Sequence, residues 1–442
     1  MDRPNILYMH SHDTGRYVQP YGYAIPTPNL QALAEQGTLF RKCFCAGPTC
    51  SPSRAALLTG QNCHSAGMIG LAHRGFSLQD YSRHLIHTLR KAGYKTALAG
   101  VQHVDRHGAE RIGYDEILPQ TGTAAGVAAA AEQYLRAAAK ERADGGGAQP
   151  FFLSVGFVRT HRVYPEPGPR EDARYCLPPA PLPDTPETRH DVACFKAAAR
   201  ELDMGMGQVL DALRNAGLEG DTLVICTTDH GIAFPLMKCN LTDHGTGVML
   251  IVRGPGGFDG GKVCDAMVSH VDVYPTLCDL LGVDRPAWLE GESLLPLVRG
   301  EAEEIHDEIF SEVTYHAAYE PMRAVRTRRH KYIRRYDDRG RPILPNCDGS
   351  VSKDLLLEHG WAERAPQPEQ LYDLVFDPHE SCNVAADPAY ADVLAEMRSR
   401  LDAWMERTDD PLLGGLPVPA PSGAKVNDPD GLSPNEPVRT VP

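Results

Sequence analysis

The sequence predicts an α/β protein: a mostly parallel sheet layered between helices, then a smaller α+β unit. Two observations carry the α/β prediction. Strand-like apolar runs alternate with helical segments over about the first 300 residues, the pattern of a parallel sheet covered on both faces. Beyond that point "MRAVRTRRHKYIRRY" and "QLYDLVFDPHE" alternate like antiparallel strands. The expected organisation is a main α/β domain over 1–300, a C-terminal subdomain over 301–415, and a Pro/Gly-rich extended tail over 416–442.

Each element has its own signal. "PNILYMHSHD" is a strand-forming apolar run that ends in polar residues. "TPNLQALAEQG" (Thr27–Gly37) is a helix with a proline start and a glycine stop. "YSRHLIHTLRKAGYKTALAG" reads as helix, glycine turn and short strand. "TAAGVAAAAEQYLRAAAKERADGGG" is an alanine-rich helix running into a flexible glycine loop, followed by the strand "PFFLSVGF" (Pro150–Phe157). A long helix, a turn and a strand follow in "HDVACFKAAARELDMGMGQVLDALRNAGLEGDTLVICTTDHG", and "SHVDVYPTLCDLLG" is one more helix. Near the C-terminus, "ADVLAEMRSRLDAWMERT" places Val393, Leu394, Met397, Leu401 and Trp404 on one helical face.

Composition narrows the partners. With 442 residues, 42% of them hydrophobic, the chain can bury a sizeable core. Its net charge is −14, and only the short run Arg326–Arg335 is basic. Neither nucleic acid nor an anionic membrane is an expected partner, so any anion must be held by a local pocket. No run of eighteen apolar residues predicts a membrane span. "MDRPNILYMHS" lacks the basic and apolar regions of a secretory signal, so a cytoplasmic location is expected unless a leader has been removed. The twelve cysteines then read as mostly reduced thiols, and Cys43 and Cys45 lack zinc-ligand spacing.

Ligands of parallel sheets bind beyond the carboxyl ends of the strands. There "SHD", "VQH", "RTH" and "TTDHG" supply His12, Asp13, His103, His161, Asp229 and His230. Carboxylates beside histidines at two strand ends suit a divalent cation. In "CSPSRAALLTG" (Cys50–Gly60), Pro52 favours a helix start just after Cys50. A thiol at that position faces free backbone N–H groups and the positive end of the helix dipole, which lowers its pKa and attracts an anion. Two other readings stand beside this one. Cys50 is a packed helix-entry residue, or it is an ordinary thiolate nucleophile with His103 or His161 as base.

"CSPSRAALLTG" resembles the signature of the sulfatase family, Cys/Ser-x-Pro-Ser/Thr-Arg followed by Leu-Thr-Gly. The resemblance extends through "PNILYMHSHD", "AGYKTALAG", "TLVICTTDHG", "HGTGVMLIVRGP" and "QLYDLVFDPHESCNVA". "FPLMKCNLTDHGTG" and "MRAVRTRRHKYI" look closest to its heparan N-sulfatase branch and bacterial relatives. The fold this implies is the alkaline-phosphatase-like α/β sandwich with a C-terminal subdomain. The resemblance implies that a maturation enzyme converts Cys50 to formylglycine, which hydrates to a gem-diol. One hydroxyl attacks sulfur and expels the alcohol or amine; the other then releases sulfate and regenerates the aldehyde. Arg54 would hold the diol, and His12, Asp13, Asp229, His230 and the modified Cys50 would bind one divalent metal. Lys238 and His161 match sulfate-contacting positions, and His103 matches the histidine of the family's Gly-Lys-x-His segment.

Two residues depart from the family pattern. His12 replaces the first aspartate of the usual Asp-Asp pair, which makes calcium less certain and brings in manganese as the imidazole-tolerant alternative. Val101 replaces the lysine of Gly-Lys-x-His, leaving Gln102 as a neutral donor to substrate. His316, in "EVTYHAAYEP", is a candidate for a sugar hydroxyl. The expected function is hydrolysis of a sulfate ester or N-sulfate, of a sugar or an aryl sulfate, with formylglycine and a divalent metal. The alternatives are a phosphonate monoester or phosphodiester hydrolase of the same superfamily and a non-catalytic binding relative.

Overall fold

Among residues 3–119, 122–145 and 149–442, which the computed structural model describes, nine strands build the central sheet. They are β1 (Asn5–Ser11), β2 (Thr38–Phe44), β3 (Lys95–Gly100), β4 (Glu116–Ile117), β5 (Phe151–Gly156), β6 (Thr222–Thr228), β7 (Gly247–Val248), β8 (Leu250–Arg253) and β9 (Lys262–Ser269). Their order is β4-β3-β5-β1-β6-β8-β2-β7, with β9 also paired to β2. The run β4-β3-β5-β1-β6 is parallel throughout. β8 runs antiparallel to both β6 and β2, so the sheet is mostly, not wholly, parallel.

β1 lies at the centre, and its alternation serves two cores. Leu7 and Met9 pack with Leu30, Val127, Leu202 and Met206 from α1 (Pro28–Gln36), α4 (Ala124–Ala143) and α5 (Pro186–Asn215). Ile6 and Tyr8 face the other side, with Leu57, Leu58, Ile86 and Leu277 from α2 (Cys50–Thr59), α3 (Leu85–Lys91) and the helix Val273–Leu281. Burying each such side chain contributes roughly 1.5–3 kcal/mol, so a strand buried on both faces is strongly held in register. Every residue of α2 is buried, and the helix stops at Gly60, whose φ is 66°. A Cβ there would sit 2.5 Å from Leu289 Cδ2, so both conformation and space call for glycine. The glycine loop expected after α4 falls partly on Gly146 and Gly147, outside the described residues.

A second sheet of four antiparallel strands follows: β10 (Glu308–Tyr315), β11 (Tyr319–Thr327), β12 (His330–Arg335) and β13 (Glu369–Asp373). The helix Ala391–Arg407 covers it, burying Leu394, Met397, Leu401 and Trp404 against Phe310, Val325 and Tyr332, with Val393 partly buried. Only the first part of "QLYDLVFDPHE" is strand; Phe376 beyond it is exposed. Part of the basic run is internal: Arg326 and Lys331 both bind the buried Asp243, at 3.0 and 2.9 Å, while Arg328 and Arg329 are exposed. The expected extended tail carries structure of its own. Lys425–Asn427 pairs with Val438–Thr440, Ala424 is fully buried, and Asn427 accepts a hydrogen bond from Arg74. Among the described residues, no helix is long and apolar enough to cross a membrane.

Buried charges join the two sheets. Glu312 of β10 accepts hydrogen bonds from the backbone N–H and Nδ1 of His64, at 3.0 and 2.8 Å. Arg323 of β11 lies 3.5 Å from Glu312 and binds Asp410 through two nitrogens. Burial opposes ionisation of Glu312, but His64 and Arg323 outweigh it and hold the carboxyl at about 2. Replacing Glu312 by Gln should cost about 3–5 kcal/mol, because it breaks a buried pair and leaves its partners behind. Urea unfolding would read this as a lower midpoint, and an unchanged midpoint would mean that Asp410 alone suffices for Arg323.

Candidate active site

Because β1, β3, β5 and β6 run parallel, their carboxyl ends meet at one edge, with His10 level with Gly156 and Thr227. Just past those ends, Asp229 Oδ1 accepts the backbone N–H groups of Asp13 (2.8 Å) and His230 (2.9 Å). Its other oxygen takes Arg54 Nη2 at 3.0 Å and lies 3.4 Å from His12 Nδ1. Arg54, from the second turn of α2, also donates to Ser11 O (2.7 Å) and His10 Nδ1 (2.5 Å). The Cys50 thiol, at the head of α2, lies 3.3 Å from His230 Nε2 and 4.0 Å from Asp13 Oδ1. Lys238 spans Asp13 Oδ2 (3.0 Å) and Asp348 Oδ2 (2.9 Å).

Burial opposes the charge on Asp229, yet His230, Arg54 and His12 hold its carboxyl well below the ordinary range. Burial, helped by Arg54, pushes His12 well down, so its ring is neutral and offers a lone pair. The Cys50 thiol overturns its expectation. Burial drives its pKa well above the ordinary value, against the pull of Lys238 and Arg54, so the helix terminus does not produce a thiolate. The histidine nearest to it is His230, and a ring nitrogen of His103 lies within 4.8 Å.

The remaining expected residues separate into those the fold brings to the site and those it does not. His161 Nε2 points at Asp13 Oδ2, 4.0 Å away, while its Nδ1 donates to Arg162 O. His103 packs beside His12, with ring centroids 5.3 Å apart, and its Nε2 lies 3.1 Å from His73 Nδ1. Burial and Arg54 lower its pKa to about 3. His316 is buried within the electrostatic reach of Lys238 and Asp348, and its Nδ1 has no hydrogen-bond partner among the described residues. Gln102 closes its own turn: its amide donates one N–H to Asp105 O and accepts from the N–H groups of Val104 and Asp105, which leaves its second amide N–H without a partner in that turn.

The donor set suits a cation. Ligand atoms of His12, Asp13, Cys50 and Asp229 all lie within 4.8 Å of one another. His12 Nδ1 is buried without a hydrogen-bond partner among the described residues. His230 donates Nδ1–H to Gly231 O, which turns its Nε2 toward Asp13 Oδ1 at 3.3 Å.

Residues 4–283 match the family model "Sulfatase", and residues 237–343 match "N-sulphoglucosamine sulphohydrolase, C-terminal". The chain belongs to the sulfatase family. It is 33% identical to human N-sulphoglucosamine sulphohydrolase over 465 aligned positions, covering 92% of this chain and 91% of that one. Among solved structures, a 2-O GAG sulfatase superposes with a TM-score of 0.70 at 22% identity, over 95% of each chain. The phosphonate monoester hydrolase of Agrobacterium radiobacter gives 0.69 at 23% identity, over 92% of this chain and 96% of that one. This sulfatase is a hydrolase of sulfuric esters or N-sulfates.

Its sequence did not single out three groups that the sulfatase fold brings to this edge. His10 anchors Arg54; a histidine inside an apolar strand gives no periodic signal of that role. His73 stacks on His103 from a short turn. Asp348 arrives from the C-terminal part, about 110 residues beyond Lys238, and no local pattern links the two. Burial opposes the Asp348 charge, but Lys238 and His316 hold its carboxyl far below the usual range. Replacing Asp348 by Asn should loosen Lys238 and lower kcat/KM roughly 10–100-fold on a sulfated substrate, in a protein that still folds. Unchanged kinetics would show that Asp13 alone positions the lysine.

Proposed function

We propose that this sulfatase removes sulfate from a sulfated amino sugar, with formylglycine made from Cys50 as its nucleophile. One observation carries the nucleophile: residue 50 of the sulfatase signature stands at the head of α2 with its Sγ 4.0 Å from Asp13 Oδ1 and 3.3 Å from His230 Nε2, among the donors suited to a cation. Support for the amino sugar comes from the similarity to human N-sulphoglucosamine sulphohydrolase, which includes the C-terminal family match.

In this reading a formylglycine-generating maturation enzyme oxidises the Cys50 side chain to an aldehyde, and water adds to give the gem-diol. Asp13, whose Oδ1 lies 4.0 Å from Cys50 Sγ, is the carboxylate placed to receive the proton of the attacking hydroxyl. As that oxygen bonds to sulfur, the bond from sulfur to the sugar nitrogen or oxygen breaks. The second hydroxyl then loses its proton, the carbon–oxygen bond to sulfate breaks, and the aldehyde returns. His161, whose Nδ1 is held by Arg162 O and whose Nε2 lies 4.0 Å from Asp13 Oδ2, is the side chain to pass a proton to the leaving group, a role worth roughly 10²–10⁴-fold. Arg54 and Lys238 supply fixed positive charge at the floor of the site. A divalent cation held by His12, Asp13, Asp229, the modified residue 50 and His230 would polarise the oxygens there as a Lewis acid. Calcium is the first choice and manganese the alternative that an imidazole donor favours.

Two experiments test the reading. Rates on N-sulfated glucosamine, an O-sulfated sugar, an aryl sulfate and a phosphonate monoester should favour the sulfated amino sugars. A phosphonate preference of roughly tenfold or more in kcat/KM would replace this reading with the phosphonate branch. No turnover of any of them would favour a binding-only protein. In metal-stripped enzyme, His12→Asp should raise reactivation by calcium relative to manganese, because a hard carboxylate replaces an imidazole. An unchanged preference would remove His12 from the ligand set.

A further inference from the structure

A second set of metal-type donors lies outside this site, on the face of α5. His190 and Cys194 stand one helical turn apart, so both side chains rise from the same side of a rigid helix. Glu166 comes across to them from the loop that begins with His161. His190 Nε2 is 3.6 Å from Cys194 Sγ and 3.9 Å from Glu166 Oε2, and all three ligand atoms lie within 4.8 Å of one another. Zinc bonds of about 2.0–2.3 Å set tetrahedral ligand edges of roughly 3.3–3.8 Å. The observed separations therefore need only small side-chain adjustment to close around an ion.

We propose that Glu166, His190 and Cys194 form a zinc-binding site that clamps the loop carrying His161 onto α5. Imidazole, thiolate and carboxylate are the donors zinc takes together, and the fourth position would remain for water. The surroundings fit a clamp. Arg162 binds Asp191 through two 2.7 Å hydrogen bonds, and Glu171 binds Arg200 at 2.7 Å. Glu166 lies between these two ties and has none to α5 except this cluster. Its side chain is 88% exposed and that of His190 45%, so an ion can reach both. Binding would release the thiol proton of Cys194 to solvent as the zinc–sulfur bond forms, with no change in oxidation state.

Cobalt(II) is the probe, because its thiolate complex has a charge-transfer band that oxygen and nitrogen ligands alone do not give. The full chain, stripped of metal, should show that band at one equivalent of cobalt, and zinc should displace it. It should persist in Cys50→Ser, vanish in Cys194→Ser, and require roughly tenfold more cobalt in His190→Gln. A band that is absent, survives Cys194→Ser, or disappears with Cys50→Ser would overturn the site. Zinc should also slow hydrogen–deuterium exchange over residues 163–167 in Cys50→Ser but not in Cys194→Ser. Equal exchange with and without zinc would overturn the clamp.

Discussion

The Asp229 carboxylate holds the catalytic edge together. It is fully desolvated, and an isolated charge there would be prohibitively costly. Its oxygens tie the end of β1 through Asp13 N–H, the turn after β6 through His230 N–H, and α2 through Arg54. Those three ties place Asp13, His230 and Cys50 against one another. The parallel register of β1 on β6, from Asn5 opposite Thr222 to Ser11 opposite Thr228, brings the two strand ends level.

Around that carboxylate, the protein keeps its imidazoles neutral. Burial lowers His10 and His12 well below the usual range and His103 and His270 to about 3. Neutral rings next to two carboxylates supply lone pairs rather than charge. Arg54 and Lys238 are the permanent cations, each already engaged with a carboxylate. The same burial that keeps the histidines neutral keeps the Cys50 thiol protonated. A site arranged in this way is poor at generating a thiolate and well suited to a diol that loses its proton beside a cation.

Much of this was legible in the sequence because parallel strands end at one edge. Polar clusters after apolar runs marked His12, Asp13, His161, Asp229 and His230 without knowledge of the tertiary fold. The signal failed where the deciding fact was long-range or depended on burial. Asp348 reaches Lys238 from the second sheet's side of the chain, and no local period encodes that encounter. Gln102 reads as a wholly free donor until its amide is seen closing its own turn with one N–H. The thiol pKa followed desolvation rather than the helix dipole, and the helix dipole was the only one of the two that the sequence displayed. Nothing local in the basic run Arg326–Arg335 shows that Arg326 and Lys331 neutralise the buried Asp243.

The most direct measurement is the mass of the proteolytic peptide carrying residue 50, from protein made alongside a formylglycine-generating enzyme. Conversion of the Cys50 side chain from CH₂SH to CHO predicts a peptide about 18 Da lighter than the cysteine form, with turnover rising in proportion to the converted fraction. A fully active protein whose peptide retains the intact thiol would contradict it.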